Sequence, residues 1–182
     1  MELLKKLLDI HPDSGIEEVQ DRFYTLADKL FNEYEILKNE EVYDFLEIEF
    51  YFTNDAHEDQ AAYARKAAAG KWLFHEYGVD INFESDETHY GGIFIRSLFN
   101  SKRLINGPFK VCDLLFGDID IGGETGTLPV IRKKAEFNSV TPGAIPRFDV
   151  DDTRKYRYYN SSLPFEKWDS IYLAKYFKNY LK

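Results

Sequence analysis

Residues 45–52 read FLEIEFYF, with Leu46, Ile48, Phe50 and Phe52 alternating with Glu47, Glu49 and Tyr51. That period of two predicts a β-strand with one apolar face and one face of carboxylates and a phenol. The preceding segment has the other period. Ile16, Val19, Phe23, Leu26, Leu30, Phe31 and Tyr34 recur at helical spacing behind Ser14-Gly15-Ile16-Glu17. That stretch reads as a capping box with Ser14 as N-cap, so an amphipathic helix is predicted over 15–37, after a short helix over 2–9.

Downstream, 53–71 is polar and then Ala-rich, and predicts a long loop. WLFHEYGVDINF (72–83) predicts strand broken at Gly78, and GGIFIRSL (91–98) predicts another strand. In that strand Phe94, Arg96 and Leu98 are expected on one face, with Ile93 and Ile95 on the other. With both faces mostly apolar the strand is expected to be central. A buried Arg96 then needs an acidic partner, and Glu47 and Glu49 are the natural source. Gly107-Pro108 opens a predicted helix with Pro at N1. Residues 117–132 read as hairpin turns, RKYRYY (154–159) as a strand and Pro164 onward as a last helix. The pattern predicts one α+β domain over 1–182: a curved, mostly antiparallel β-sheet with flanking helices. It divides into a helical N-terminal extension (1–40), a core (44–159) and a C-terminal helix (160–182).

Charge sharpens this picture. The formal net charge is −9. Residues 1–60 hold 5 basic and 17 acidic side chains, a local −12, and the remainder carries +3. The acidic outer face of helix 15–37 is a solvated surface or a dock for a basic protein partner. An acidic chain lacks the Lys and Arg that general nucleic-acid binding needs. Two local sets stand against that, Arg132, Lys133 and Lys134, and Arg147, Arg154, Lys155 and Arg157, which together suggest a basic stripe. The single cysteine, Cys112, is expected as a buried thiol in a reducing compartment. MELLKKLLDIHPD is broken by charge and is not a signal peptide, and no segment suits a bilayer, so a cytoplasmic protein without membrane contact is expected.

Most familiar site chemistries find no support. GGETGT (122–127) lacks the Lys-Ser/Thr of a P-loop, HEYGV (75–79) lacks the second His of HExxH, and His57, Asp55 and His75 have no diagnostic metal spacing. No nucleophile elbow is present. Glu47 and Glu49, at i and i+2 on one strand, lie roughly 6.5 Å apart at Cα. Retaining glycoside hydrolases use carboxylates about 5 Å apart, usually from different strands. Glu49 alone, oriented by Arg96 with a water between them, suits a general base; an Arg–Glu bridge that only orders the core is the other reading.

Five segments in order resemble the alkyladenine (3-methyladenine) DNA glycosylase family. LEIEFYFTNDAH (46–57) is similar to its catalytic strand, an E-x-E-A-Y core followed by a His. WLFHEYG (72–78) is similar to its YVYxxYG segment and GGIFIRSL (91–98) to its VLLRAL strand. NGPFKVCDLLFGDIDI (106–121) resembles its G-P-x-K-L helix and IPRFDVDDTRKYRYY (145–159) its terminal PRVGI…RFY block. The resemblance covers residues 44–159. It implies hydrolysis of the N-glycosidic bond of a damaged purine nucleotide flipped into an aromatic pocket, with no metal or other cofactor. Glu49 then matches the water-activating base and Arg96 the arginine that helps hold the water. Tyr51 and His57 match groups flanking the base, and Phe74 stands where the family has a stacking tyrosine. Asn82 matches the residue that checks the purine edge, and Tyr77 the side chain inserted into the duplex.

The chain departs from that pattern in its loop QAAYARKAAAGK (60–71) and in its acidity. Three readings therefore stand at the level of sequence: a DNA glycosylase acting on damaged DNA, a related hydrolase of a small purine nucleoside or nucleotide, and a non-catalytic interaction module with an acidic helix.

Overall fold

The computed structural model describes residues 2–120, 126–147 and 151–162; the expected helix from Pro164 lies outside them, as does part of the 117–132 turn region. The architecture is α+β, built on a curled antiparallel sheet in the shape of a half barrel. Two long strands form its centre, β2 (Glu41–Thr53) and β5 (Tyr90–Phe99). They pair antiparallel along almost their whole lengths.

Each central strand has two shorter partners, end to end, on its outer edge. β2 is flanked by β1 (Tyr34–Lys38) and then β9 (Arg157–Asn160). β5 is flanked by β4 (Gly78–Asn82) and then β6 (Leu104–Asn106). β3 (Trp72–His75), β7 (Val130–Lys133) and β8 (Pro142–Ile145) extend the sheet beyond β4, β1 and β9.

One face of the sheet is covered by α2 (Ile16–Asn32), preceded by α1 (Glu2–Leu7). The helical period puts Val19, Phe23, Leu26, Ala27, Leu30 and Phe31 on the buried side of α2, against Phe45, Ile48, Phe50 and Phe52 of β2. Phe23 stacks on Phe50 at 4.5 Å and on Phe83 at 6.0 Å, and meets Tyr156 edge-on at 4.9 Å. α3 (Pro108–Phe116) begins, as expected, with Pro at its N-terminus behind Gly107, whose φ of 111° favours glycine. Its Phe116 meets Trp72 and Phe74 edge-on.

The structure departs from the sequence-based expectation first at the ends of α2. The helix starts after Gly15, which serves as N-cap with no side-chain hydrogen bond, so Ser14 is not the cap. Ser14 is buried, and its carbonyl accepts from Asn54 Nδ2. The helix also ends at Asn32, not 37. From Tyr34 burial alternates every second residue and the chain is the β1 strand, so the 1–40 segment is helical only as far as Asn32 and ends in a strand of the sheet. Asn32 fixes that switch with its side chain, donating to Val140 O at 2.8 Å and accepting from Val140 N at 2.7 Å.

The faces shift at the centre of the ladder. Register breaks around Glu47, and Leu46 and Arg96 fall outside the β2–β5 pairing. Leu98 therefore joins Ile93 and Ile95 in the main core rather than Phe94 and Arg96. Leu46 leaves that core for a small cluster with Ile145.

Candidate active site

The face of β2 and β5 opposite α2 holds charge. Glu49 pairs in register with Phe94 on one side and Arg157 on the other, while Glu47 faces Ser97 and Tyr159. Arg96, freed from the ladder by the irregularity, reaches back over both glutamates. Its Nη1 donates to Glu49 Oε2 at 3.3 Å, and its Nε lies 3.8 Å from Glu47 Oε1. Arg157 pairs tightly with Glu47, and its Nε is 3.6 Å from Glu49 Oε1. Ser97 Oγ donates to Glu47 at 3.2 Å or to Asn106 Oδ1 at 2.9 Å. Two guanidinium groups thus balance two carboxylates, and the expected Arg96–glutamate pairing is present. Glu47, expected as support or as a solvent-facing residue, is support: it is 1% exposed.

Glu49 is also 1% exposed. Tyr51 Oη donates to its Oε2 at 2.6 Å. Burial first, and then the charge of Glu49, push the Tyr51 phenol well above its ordinary pKa, so it stays a donor. Burial opposes the Arg96 charge, but Glu49 and Glu47 outweigh it and raise the pKa above the ordinary value. Glu49 Oε2 therefore has two donors. Its Oε1, the Arg96 Nε and the Asn106 Nδ2 are buried with no hydrogen-bond partner. Tyr51 lies between two groups, with the Arg147 guanidinium 4.5 Å from its ring centroid and Phe94 edge-on at 6.4 Å.

The other expected site residues divide. Asn82 is on this face, buried, accepting from Arg65 Nη1 at 3.1 Å and donating to Lys71 O at 3.2 Å. His57 belongs to the core side: it is fully buried beside Phe23 and Phe52, with Nδ1 at Phe52 O (2.9 Å) and Nε2 at Tyr156 Oη (2.7 Å). Burial, reinforced by the Arg154 charge, holds its pKa below the ordinary value. Tyr77 occupies the β3–β4 turn and is half exposed, and Phe74 is half exposed against Phe116 on the α3 side. Neither belongs to the Glu49 contacts described above.

Of the basic stripe expected from 132–134 and 147–157, Lys155 is exposed, and the other members are paired with carboxylates. Arg132 pairs with Glu35, Lys133 with Glu33 and Lys134 with Asp44. Arg147 grips Asp59 through both Nη atoms and also reaches Asp152, which Arg154 shares. Arg157 belongs to Glu47. Sequence reasoning missed Arg157 and Phe94 as neighbours of Glu49, and Arg147 as a neighbour of Tyr51. No local signal marks Arg157, which stands in RKYRYY with Arg154 and Lys155 close by.

No protein-family model and no curated protein matches this chain.

Proposed function

We propose that this chain hydrolyses the N-glycosidic bond of a purine nucleoside or nucleotide, with Glu49 as the base that activates water. One observation carries the reading. Glu49 Oε2 is fixed by Tyr51 and Arg96, while Oε1 is buried with no hydrogen bond. Oε1 faces Arg157 Nε at 3.6 Å without a hydrogen bond, and Arg96 Nε, 3.8 Å from Glu47 Oε1, likewise makes none, so a water in this cluster would find an acceptor and a donor whose hydrogen-bonding capacity is unused. In the reaction the water oxygen bonds C1′ and its proton passes to Glu49. The C1′–N bond breaks with its electron pair leaving on the base, and the nearby carboxylate stabilises the oxocarbenium-like sugar. The alkyladenine DNA glycosylase-like form of the fold is part of this proposal.

The paired arginines favour a small substrate over duplex DNA. Arg65, Arg147, Arg154 and Arg157 are each engaged by Asp80, Asp59, Asp152 or Glu47, so phosphate contacts would have to break existing ion pairs. Chromatography of free base tests the reading, with purine nucleosides, their 5′-phosphates and duplex oligonucleotides carrying hypoxanthine or 3-methyladenine as substrates. Release from nucleosides or nucleotides and none from duplex is expected. Release from duplex alone returns the damaged-DNA reading, and release from none overturns the hydrolase.

The burial of Glu49 favours a second reading, an interaction module in which the four charges only order the sheet. In that case Glu49→Gln lowers the melting temperature and no substrate is turned over.

A further inference from the structure

The polar face continues from β2 across β5 to β4. Glu49, Phe94 and Asp80 are register partners across these three adjacent strands, and Tyr51, Gly92 and Asn82 form the next row. Two inter-strand steps put the Asp80 and Glu49 backbones about 10 Å apart, with Phe94 between them.

Arg65 lies over that middle ground. It reaches in from the 54–71 connection, and its Nη1 donates to Asp80 Oδ2 at 2.6 Å and to Asn82 Oδ1 at 3.1 Å. A Cβ on Gly92 would sit 3.0 Å from Nη1, so the guanidinium rests directly on the glycine. His75 Nε2 holds the other Asp80 oxygen at 3.1 Å, and the His75 ring meets Phe94 at 5.1 Å and Tyr63 at 5.7 Å. The segment carrying Arg65 is anchored at both ends. Asp59 is bound by Arg147, and Ala67, Ala69 and Gly70 hydrogen-bond to Ser85, Glu84 and Asn82. Between those anchors, Arg65 is the attachment to the buried polar face.

We propose that Asp80 and Asn82 form a base-edge subsite for a purine with adjacent N–H donors, and that Arg65 fills it as an internal stand-in which the substrate displaces. The proposal rests on the nucleoside-hydrolase reading above. Arg65 Nη1 bridges two acceptors, Asp80 Oδ2 and Asn82 Oδ1, while His75 keeps Asp80 Oδ1; the adjacent N1–H and 2-amino donors of guanine can meet the same two acceptors, one each. Hypoxanthine has N1–H alone. Neutral adenine turns a lone pair at N1 towards Asp80, which a carboxylate rejects. The expected order is guanosine, then inosine, then adenosine. Substrate pays to displace Arg65, so removing that side chain raises the fraction of protein ready to bind.

Calorimetric titration with guanosine, inosine and adenosine tests this without relying on turnover. Arg65→Met is expected to bind guanosine about tenfold more tightly than wild type and to prefer it to adenosine by at least about tenfold. Adding Asp80→Asn to Arg65→Met is expected to abolish that preference. Arg65→Lys keeps a cation beside Asp80 if the methionine variant fails to fold. It replaces the guanidinium that rests on Gly92 with a single flexible ammonium and is expected to tighten binding about threefold. Equal guanosine affinity in wild type and the folded variants, no preference for guanosine, or no binding in any of them overturns the subsite. Guanosine binding with this pattern but no base release sinks the hydrolase reading and leaves the subsite. Base release with an unchanged Arg65 variant sinks only the subsite.

Discussion

At Glu49 one carboxylate oxygen is held by Tyr51 and Arg96, and the other makes no hydrogen bond, with Arg157 Nε 3.6 Å away. Alternation in FLEIEFYF and a lone arginine in IFIRSL were enough to read that pairing from sequence. The Arg157 contact was not legible, because the pairing partner of a short strand far along the chain is set by tertiary register. His57 shows the opposite failure. A histidine just after β2 looked like a site group, yet both ring nitrogens are spent inside the core. Its pKa is lowered from 6.5 in the fold, first by burial and then by Arg154. The unfolded chain therefore takes up a proton that the native ring resists, and stability falls as pH drops below about 6.5. Thermal melts between pH 7 and pH 5 are expected to show that loss in wild type. His57→Gln is expected to be less stable at pH 7 but flatter over the window; an equally steep profile contradicts the assignment.

At the level of elements, α1, α3 and strands β2 to β5 follow from periodicity, turn glycines and the Gly-Pro start. The end of α2 did not, because Tyr34 fits both the helical stripe and the first buried position of β1. Sheet pairing decided the matter, and a single-chain pattern does not contain it. The irregularity around Glu47 was hidden for the same reason, although it is what frees Arg96 to reach both glutamates. The β2–β5 ladder depends on close backbone approach at Gly91, where a Cβ would lie 2.1 Å from Tyr51 O and 2.8 Å from Phe52 Cα. Gly91→Ala must push the two central strands apart beside Tyr51. A loss of about 3 kcal/mol in urea unfolding is expected; a change under about 0.5 kcal/mol, typical of neutral sites, contradicts the packing.

Over the whole molecule, net charge and ion pairing agree. The chain carries −9, and apart from the exposed Lys155 the arginines and lysines first read as a stripe are tied to carboxylates. No helix among the described residues is long and apolar enough to cross a membrane. Non-specific DNA binders reach Kd values of about 10⁻⁴–10⁻⁶ M through freely available cations. Fluorescence anisotropy with a labelled duplex at low salt is expected to show no binding at about 10⁻⁵ M protein, and a salt-sensitive rise in anisotropy contradicts the small-substrate reading. The central claim is the role of Glu49, and the direct measurement is single-turnover release of free purine by wild type and Glu49→Gln, each confirmed folded by its circular dichroism. Wild type is expected to release base and Glu49→Gln to be slower by at least about 100-fold, the lower end of what a positioned general base supplies. Equal rates in the two proteins, or no release from wild type, contradict the account.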